Sequence, residues 1–258
     1  MKKLLAIVLA LVMLLSFAGC GGKQVIVAEK ESAGEAVAQT LTDYEYTAVD
    51  TQAKAIMEVA SGTADAAIID YVMSIGSIGE GTDYADLVVK GEGYSPENYG
   101  IAFRKGSDVT AKVNEAIATL RQNGKLKEIA SKYKLQDLIT ANDTFEPFKQ
   151  SEKDSDWAYI EEKGELIIGI TYFAPMNYEN EEGELVGFET EFAKAVCEEL
   201  GIKAKFQEIN WSAKETELAA KNIDCIWNGM TITEERQEAM SITIPYMANK
   251  QVMVVKEK

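Results

Sequence analysis

Asp70 closes the apolar run 65–69, DAAII. A carboxylate at the C-terminal end of such a strand is where a doubly wound α/β sheet presents groups to a ligand. The competing role for Asp70 is to cap the helix that follows, and the two roles can coexist. Ser32, Ala33 and Gly34 open a helix just after the strand 24–29, QVIVAE. Free N–H groups at a helix start favour an anion, although a glycine there is in most chains only a turn. Asn228, Gly229 and Thr231 follow another apolar strand, 224–227, and offer an amide, a carbonyl and a hydroxyl. The 258 residues include no histidine. That removes Ser/His and Cys/His nucleophile pairs and the commonest zinc ligand, so hydrolase and zinc-enzyme readings start low. No metal cluster or phosphate loop is evident, and no cofactor is implied.

The elements that must hold these residues alternate. Strands are predicted at 24–29, 46–49, 65–69 and 87–89, with helices at 32–41, 52–61 and from Tyr71. Helices at 109–122 and 126–133 follow, with Ser107 or Asp108 as N-cap. A second set holds strands 166–170, 204–207, 224–227 and 251–255 and helices 189–200 and 213–221. Such alternation implies mostly parallel sheets covered by helices, in two halves. Between the halves, 136–156 has little apolar periodicity and reads as a linker. A formal charge of −16 argues against nucleic acid, whose phosphates need clustered Lys and Arg.

The amino terminus runs Met1-Lys2-Lys3, then apolar residues to Phe17, then Ala18-Gly19-Cys20-Gly21-Gly22. This is an export signal over 1–22, too short in its apolar part for a comfortable membrane span. Phe17-Ala18-Gly19-Cys20 resembles a lipobox, with Phe where Leu is usual, and on that resemblance Cys20 becomes a lipidated N-terminus. An ordinary signal with a free Cys20 is the alternative. An exported location would allow Cys197 and Cys225 to pair as a disulfide; two small buried apolar residues is the other reading.

Four blocks carry a resemblance to a known family. They are 165–188 (ELIIGITYFAPMNYENEEGELVGF), 222–246 (NIDCIWNGMTITEERQEAMSITIPY), 62–70 (GTADAAIID) and 99–108 (YGIAFRKGSD). Together they resemble the polar amino-acid binding proteins of ABC importers, extracellular solute-binding family 3. The resemblance implies the two-lobe type II periplasmic-binding-protein fold. In the family, however, the block resembling 165–255 comes first, so the resemblance also implies a circular permutation. The expected parts are a signal at 1–22, a smaller lobe at 23–98, helices of the larger lobe at 99–135, the joining linker at 136–156 and the rest of the larger lobe at 157–258. One covalent crossing between lobes is expected near 99–103, with a looser hinge because strand 251–255 ends the chain.

The resemblance also assigns roles. A buried zwitterion needs a partner for each charge. Arg236 would grip the ligand carboxylate through its planar fork, helped by the Ser32-Ala33-Gly34 turn. Asp70 would accept from the ammonium, with Gly229 and Thr231 completing these contacts and Asn228 near the side chain. Phe173 and Trp211 would sandwich that side chain. Ile170 departs from the family, where many members have an acid, and Glu29 stands where others have Lys or Gln. A cleft-facing Glu29 would favour a basic or amide side chain; a solvated strand end is the other reading. The implied protein is a monomer, tethered to the outer face of the cytoplasmic membrane or periplasmic, that delivers an amino acid to ABC transporter membrane subunits without catalysis. A dehydratase-like enzyme of the same fold and an extracellular sensor module are the alternatives.

Overall fold

The computed structural model describes residues 22–149 and 155–257. The signal and Cys20 therefore lie outside the described residues. The first strand–helix run is β1 (Gln24–Glu29), α1 (Ala33–Thr40), β2 (Tyr44–Val49), α2 (Gln52–Ser61), β3 (Ala66–Asp70), α3 (Tyr71–Ser77) and β4 (Leu87–Tyr99). It continues through β5 (Ala102–Arg104), α4 (Val109–Gln122), α5 (Lys125–Lys132), α6 (Asp156–Lys163), β6 (Glu165–Ile170) and a short hairpin, β7 (Tyr178–Glu179) and β8 (Leu185–Val186). The remainder is α7 (Phe188–Glu199), β9 (Lys203–Glu208), α8 (Lys214–Ala219), β10 (Cys225–Ile226), α9 (Glu234–Ala239), β11 (Met240–Ile242) and β12 (Met247–Lys256).

Local chemistry sets several of these bounds. Ser32, Thr51 and Ser155 each accept a backbone N–H at the start of α1, α2 and α6, and Gly62 and Gly164 end α2 and α6 in the left-handed region. β3 is buried along its whole length, with Ala67 and Ile69 in one apolar cluster and Ala66 and Ile68 in another. Its alternate side chains therefore serve opposite faces of the sheet. Burying each isoleucine contributes roughly 1.5–3 kcal/mol.

Two five-stranded sheets result, ordered β2-β1-β3-β12-β4 and β11-β5-β10-β6-β9. β1 runs parallel to β2 and β3, and β6 parallel to β9 and β10. The expected mostly parallel sheets are thus mixed, because β12 is antiparallel to β3 and β4, and β5 to β10 and β11. Within these two sheets, every antiparallel pair includes a strand that leads between them. The chain passes from β4 in the first sheet to β5 in the second, and from β11 in the second to β12 in the first.

This topology corrects the expected division. β12 does not join the larger lobe with the rest of 157–258 but pairs with β3 and β4, so the smaller lobe takes its last strand from the chain's end. Two crossings are present where one was expected, and the physical basis offered for a looser hinge is absent. β4 extends to Tyr99 against β12, past the three residues foreseen, although its outward polar residues gave no apolar alternation to extend.

The linker 136–156 is also corrected. Asp156 already begins α6, and 139–148 is docked, its first residues on the second crossing and its last on α4 and α6. Ile139 bridges to Met247, and Thr140 N–H donates to the Tyr246 carbonyl at 3.1 Å. Arg121 holds the Asn142 and Pro245 carbonyls, and Phe148 meets Trp157 edge to face beneath the Lys112 ammonium. Cys197 and Cys225 are free buried thiols, not a disulfide; both pack in the main core, as the second reading of them held.

Candidate functional site

The C-terminal ends of the parallel strands of both sheets meet at one cleft. Glu29 ends β1, Gln52 follows β2, and Asp70 ends β3; across from them Thr171, Tyr172 and Phe173 follow β6, Trp211 follows β9, and Asn228 follows β10. With Ser32, Ala33, Gly229, Thr231 and Arg236 they line a single cavity. Carboxyl ends of strands are where an open α/β sheet exposes a crevice, because the helices return at the opposite end.

Arg236 spans the gap. Its backbone N–H is capped by the Thr233 hydroxyl at the start of α9, while Nη1 donates to the Thr231 carbonyl at 2.9 Å and Nη2 to the Glu31 carbonyl of the opposite lobe at 3.4 Å. Two of the guanidinium's five N–H donors are thus used, and the rest can serve a carboxylate. Burial pushes its pKa down, with the Glu97, Glu215 and Asp70 carboxylates opposing. On the other wall the Ser32 hydroxyl accepts the Glu35 N–H at 3.1 Å.

Asp70 is buried in a net of amides. Its Oδ1 accepts from Asn249 Nδ2 at 2.7 Å and Gln251 Nε2 at 2.5 Å, its Oδ2 accepts from Gln52 Nε2, and its own N–H donates to Gln52 Oε1 at 2.8 Å. It occupies the cap position of α3 without a side-chain cap bond, so the competing role is not realised. The same two β12 amides donate to Glu97 Oε1 on β4, at 2.5 and 2.8 Å. Burial and the Asp70 charge push the Glu97 carboxyl up to about 8, and burial raises Asp70 as well. Glu29 is also held at about 8, by burial first and Asp70 second, and its Oε1 has no hydrogen-bond partner.

The aromatic pair is present: Phe173 and Trp211 are buried at the cavity wall, with the Lys214 ammonium 4.9 Å from the Trp211 ring centroid. Gly229 makes room for Phe173. Its φ is +59°, and an added Cβ would lie 2.8 Å from Phe173 Cε1. Glu189 fixes that turn, accepting the Gly229 N–H at 2.8 Å, Asn177 Nδ2 at 2.7 Å and the Tyr246 hydroxyl. Burial holds its carboxyl at about 7.

Ten of the eleven residues foreseen for the site line this cavity. Gly34 does not; it lies behind the α1 turn, where a Cβ would stand 3.1 Å from Gln251 Oε1 and from the Ile68 carbonyl. Asn228 lines the wall with its amide already committed: Oδ1 accepts from Thr171 N–H and Asn177 Nδ2, both at 3.0 Å, and Nδ2 donates to the Thr171 hydroxyl at 2.6 Å. Gln52, Thr171 and Tyr172 were not foreseen as lining residues. Gln52 carried one signal, its place at a helix start after a strand, but its bond to Asp70 spans eighteen residues. Ile170, the departure in the acid position, is buried and is not among the lining residues. Among the described residues no group of His, Cys, Asp and Glu could hold a metal ion, and no helix is long and apolar enough to cross a membrane.

Residues 166–258 match the model of the bacterial extracellular solute-binding proteins, family 3. This segment is similar to that family. It carries the Phe173, Trp211, Gly229 and Arg236 wall of the cleft. The chain is 32% identical over 88 residues to the L-cystine-binding protein TcyJ of Escherichia coli K12, a match covering 34% of this chain and 33% of that protein. It is 32% identical over 120 residues to a probable amino-acid ABC transporter-binding protein of Haemophilus influenzae, covering 46% of each. A solved ABC uptake transporter substrate binding protein from Streptococcus pneumoniae with bound histidine is 36% identical, at a TM-score of 0.33, over 34% of this chain and 36% of that one. The chain therefore spans from a third to about half the length of these curated relatives.

Proposed function

We propose that this protein is an exported amino-acid-binding component of an ABC importer, tethered through Cys20 and working as a monomer. The observation that carries the reading is the convergence of one guanidinium, two carboxyl groups and two aromatic faces on a single cavity between two lobes. Arg236 takes the ligand carboxylate together with the N–H groups at the α1 turn, and Asp70 and the Gly229 carbonyl take the ammonium. Phe173 and Trp211 cover the side chain. Contacts on both walls stabilise the closed form, so capture follows from hinge closure about the β4 and β12 crossings.

The order of the parts is a circular permutation of the family's arrangement. Its support is the register of the first sheet, where Val27 and Val254 both lie opposite Ala67. The end of β12 and the start of β1 are then separated by one intervening strand, about 10 Å, a gap a short connection spans.

A thermal-shift screen of the purified protein against the common amino acids tests the reading, because a ligand that binds only the folded state raises its melting temperature. A selective shift is expected, abolished in Arg236→Ala. No shift with any amino acid in a folded sample would sink it. Loss of ligand with appearance of a new product would favour the enzyme reading, for which the raised Glu29 carboxyl is the specific support.

A further inference from the structure

Three charged side chains line the cleft: Glu29, Asp70 and Arg236. If the cleft holds an α-amino acid, its carboxylate and ammonium account for Arg236 and Asp70 and leave Glu29 over. We propose that the ligand's side chain ends in a cation, and that Glu29 is the acceptor that selects it. This rests on the amino-acid reading of the cleft and narrows it to the basic class.

The state of Glu29 supports the assignment. The residue is 5% exposed at the end of β1, and its Oε1 meets no donor from the protein. A buried acceptor left unpaired costs about 1–3 kcal/mol, so a ligand donor that reaches it gains what a ligand lacking one forfeits. The basic groups nearby are otherwise engaged. Lys214 lowers the Glu29 carboxyl through its charge, but its ammonium lies over Trp211 and donates to the Glu31 carbonyl at 3.3 Å. Arg236 donates to the Thr231 and Glu31 carbonyls. Gln52 has both ends of its amide on Asp70; the same amide lies close enough to lower the Glu29 carboxyl, yet Oε1 itself has no partner.

Other ligand classes fit less well. An acidic side chain would offer Glu29 Oε1 no donor and would set a second negative charge near Asp70, and like charges in a buried site repel strongly. An apolar one would bury Oε1 for good. A cationic side chain would also lie between Phe173 and Trp211, whose faces attract ammonium and guanidinium groups.

The test is calorimetric titration of the purified protein with L-arginine and L-lysine against their uncharged near-isosteres L-citrulline and L-norleucine, and with L-glutamate. At least tenfold tighter binding of a basic amino acid than of its uncharged counterpart is expected, and that ratio should fall by tenfold or more in Glu29→Gln. Tightest binding of a neutral or acidic amino acid by the unaltered protein would overturn the inference and leave the amino-acid reading intact. So would a basic-to-neutral ratio unmoved in Glu29→Gln, or in Glu29→Asp should the glutamine variant not fold. Failure of every amino acid to bind would overturn both.

Discussion

Glu29, Asp70 and Glu97 bring three carboxyls to one end of the first sheet, and the consequence is a dependence on pH. Burial holds Glu29 and Glu97 at about 8 and Glu189 at about 7, against an ordinary 4.5. The folded protein therefore keeps protons that the unfolded chain would release. Stability from these groups is fully present below the unfolded value and is lost as pH rises through the folded ones. Glu58 and Glu191, whose carboxyls are lowered, change stability only below that window. The melting temperature of the ligand-free protein should thus fall between about pH 5 and about pH 8, and fall less steeply in Glu29→Gln. A scanning calorimetry series over that range checks it, and a rising curve would contradict the placement of these groups. A cation brought beside Glu29 favours its ionised form, so arginine binding near pH 7.5 should release protons where citrulline binding does not. Titration in two buffers of different ionisation enthalpy reads that difference directly.

At the scale of elements, the turn after β10 and the strap 139–148 each turn a local detail into a wider constraint. Gly229→Ala would place a Cβ 2.8 Å from Phe173 at a φ of +59°. It should destabilise the fold by roughly 1–3 kcal/mol and weaken ligand binding by at least tenfold, since the aromatic wall must shift. Urea unfolding and titration measure the two effects separately. Phe148 is half-buried against Trp157 and under Lys112, so Phe148→Ala should cost roughly 1–2 kcal/mol, below the range for a fully buried ring. A change within a few tenths of a kcal/mol would mean that Phe148 does not anchor the strap. The strap was legible only as a linker because its anchors, Arg121, Tyr246 and Met247, lie some twenty to over a hundred residues away. No local pattern reports such contacts.

At the scale of the whole molecule, two crossings tie the lobes together, and the start of β1 and the end of β12 fall at the same end of one sheet, on either side of β3. A variant joined from 257 to 23 and opened between 149 and 155 should fold, bind the same ligand within about threefold, and melt within a few degrees of the original. Loss of folding in that variant would mean that the order of the parts is not interchangeable. Closure is testable independently: ligand should reduce the radius of gyration in solution scattering, and Arg236→Ala should remove the change.

The sequence by itself determined the alternation of strands and helices, the helix starts near Ser32 and Gln52, and the family resemblance that named ten of the residues lining the cleft. These are short-range facts, carried by periodicity and by residue types at fixed spacing. Only the tertiary structure decided that β12 belongs to the first sheet, that Asn228 spends its amide on Thr171 and Asn177, and that Glu29 ends its strand inside the cleft with Oε1 unpartnered. Strand 251–255 reads the same in either sheet, because its buried residues say that it is covered and not by what. Which strands lie beside it follows from the path of the chain across the hinge, and that path exists only once the whole molecule has folded.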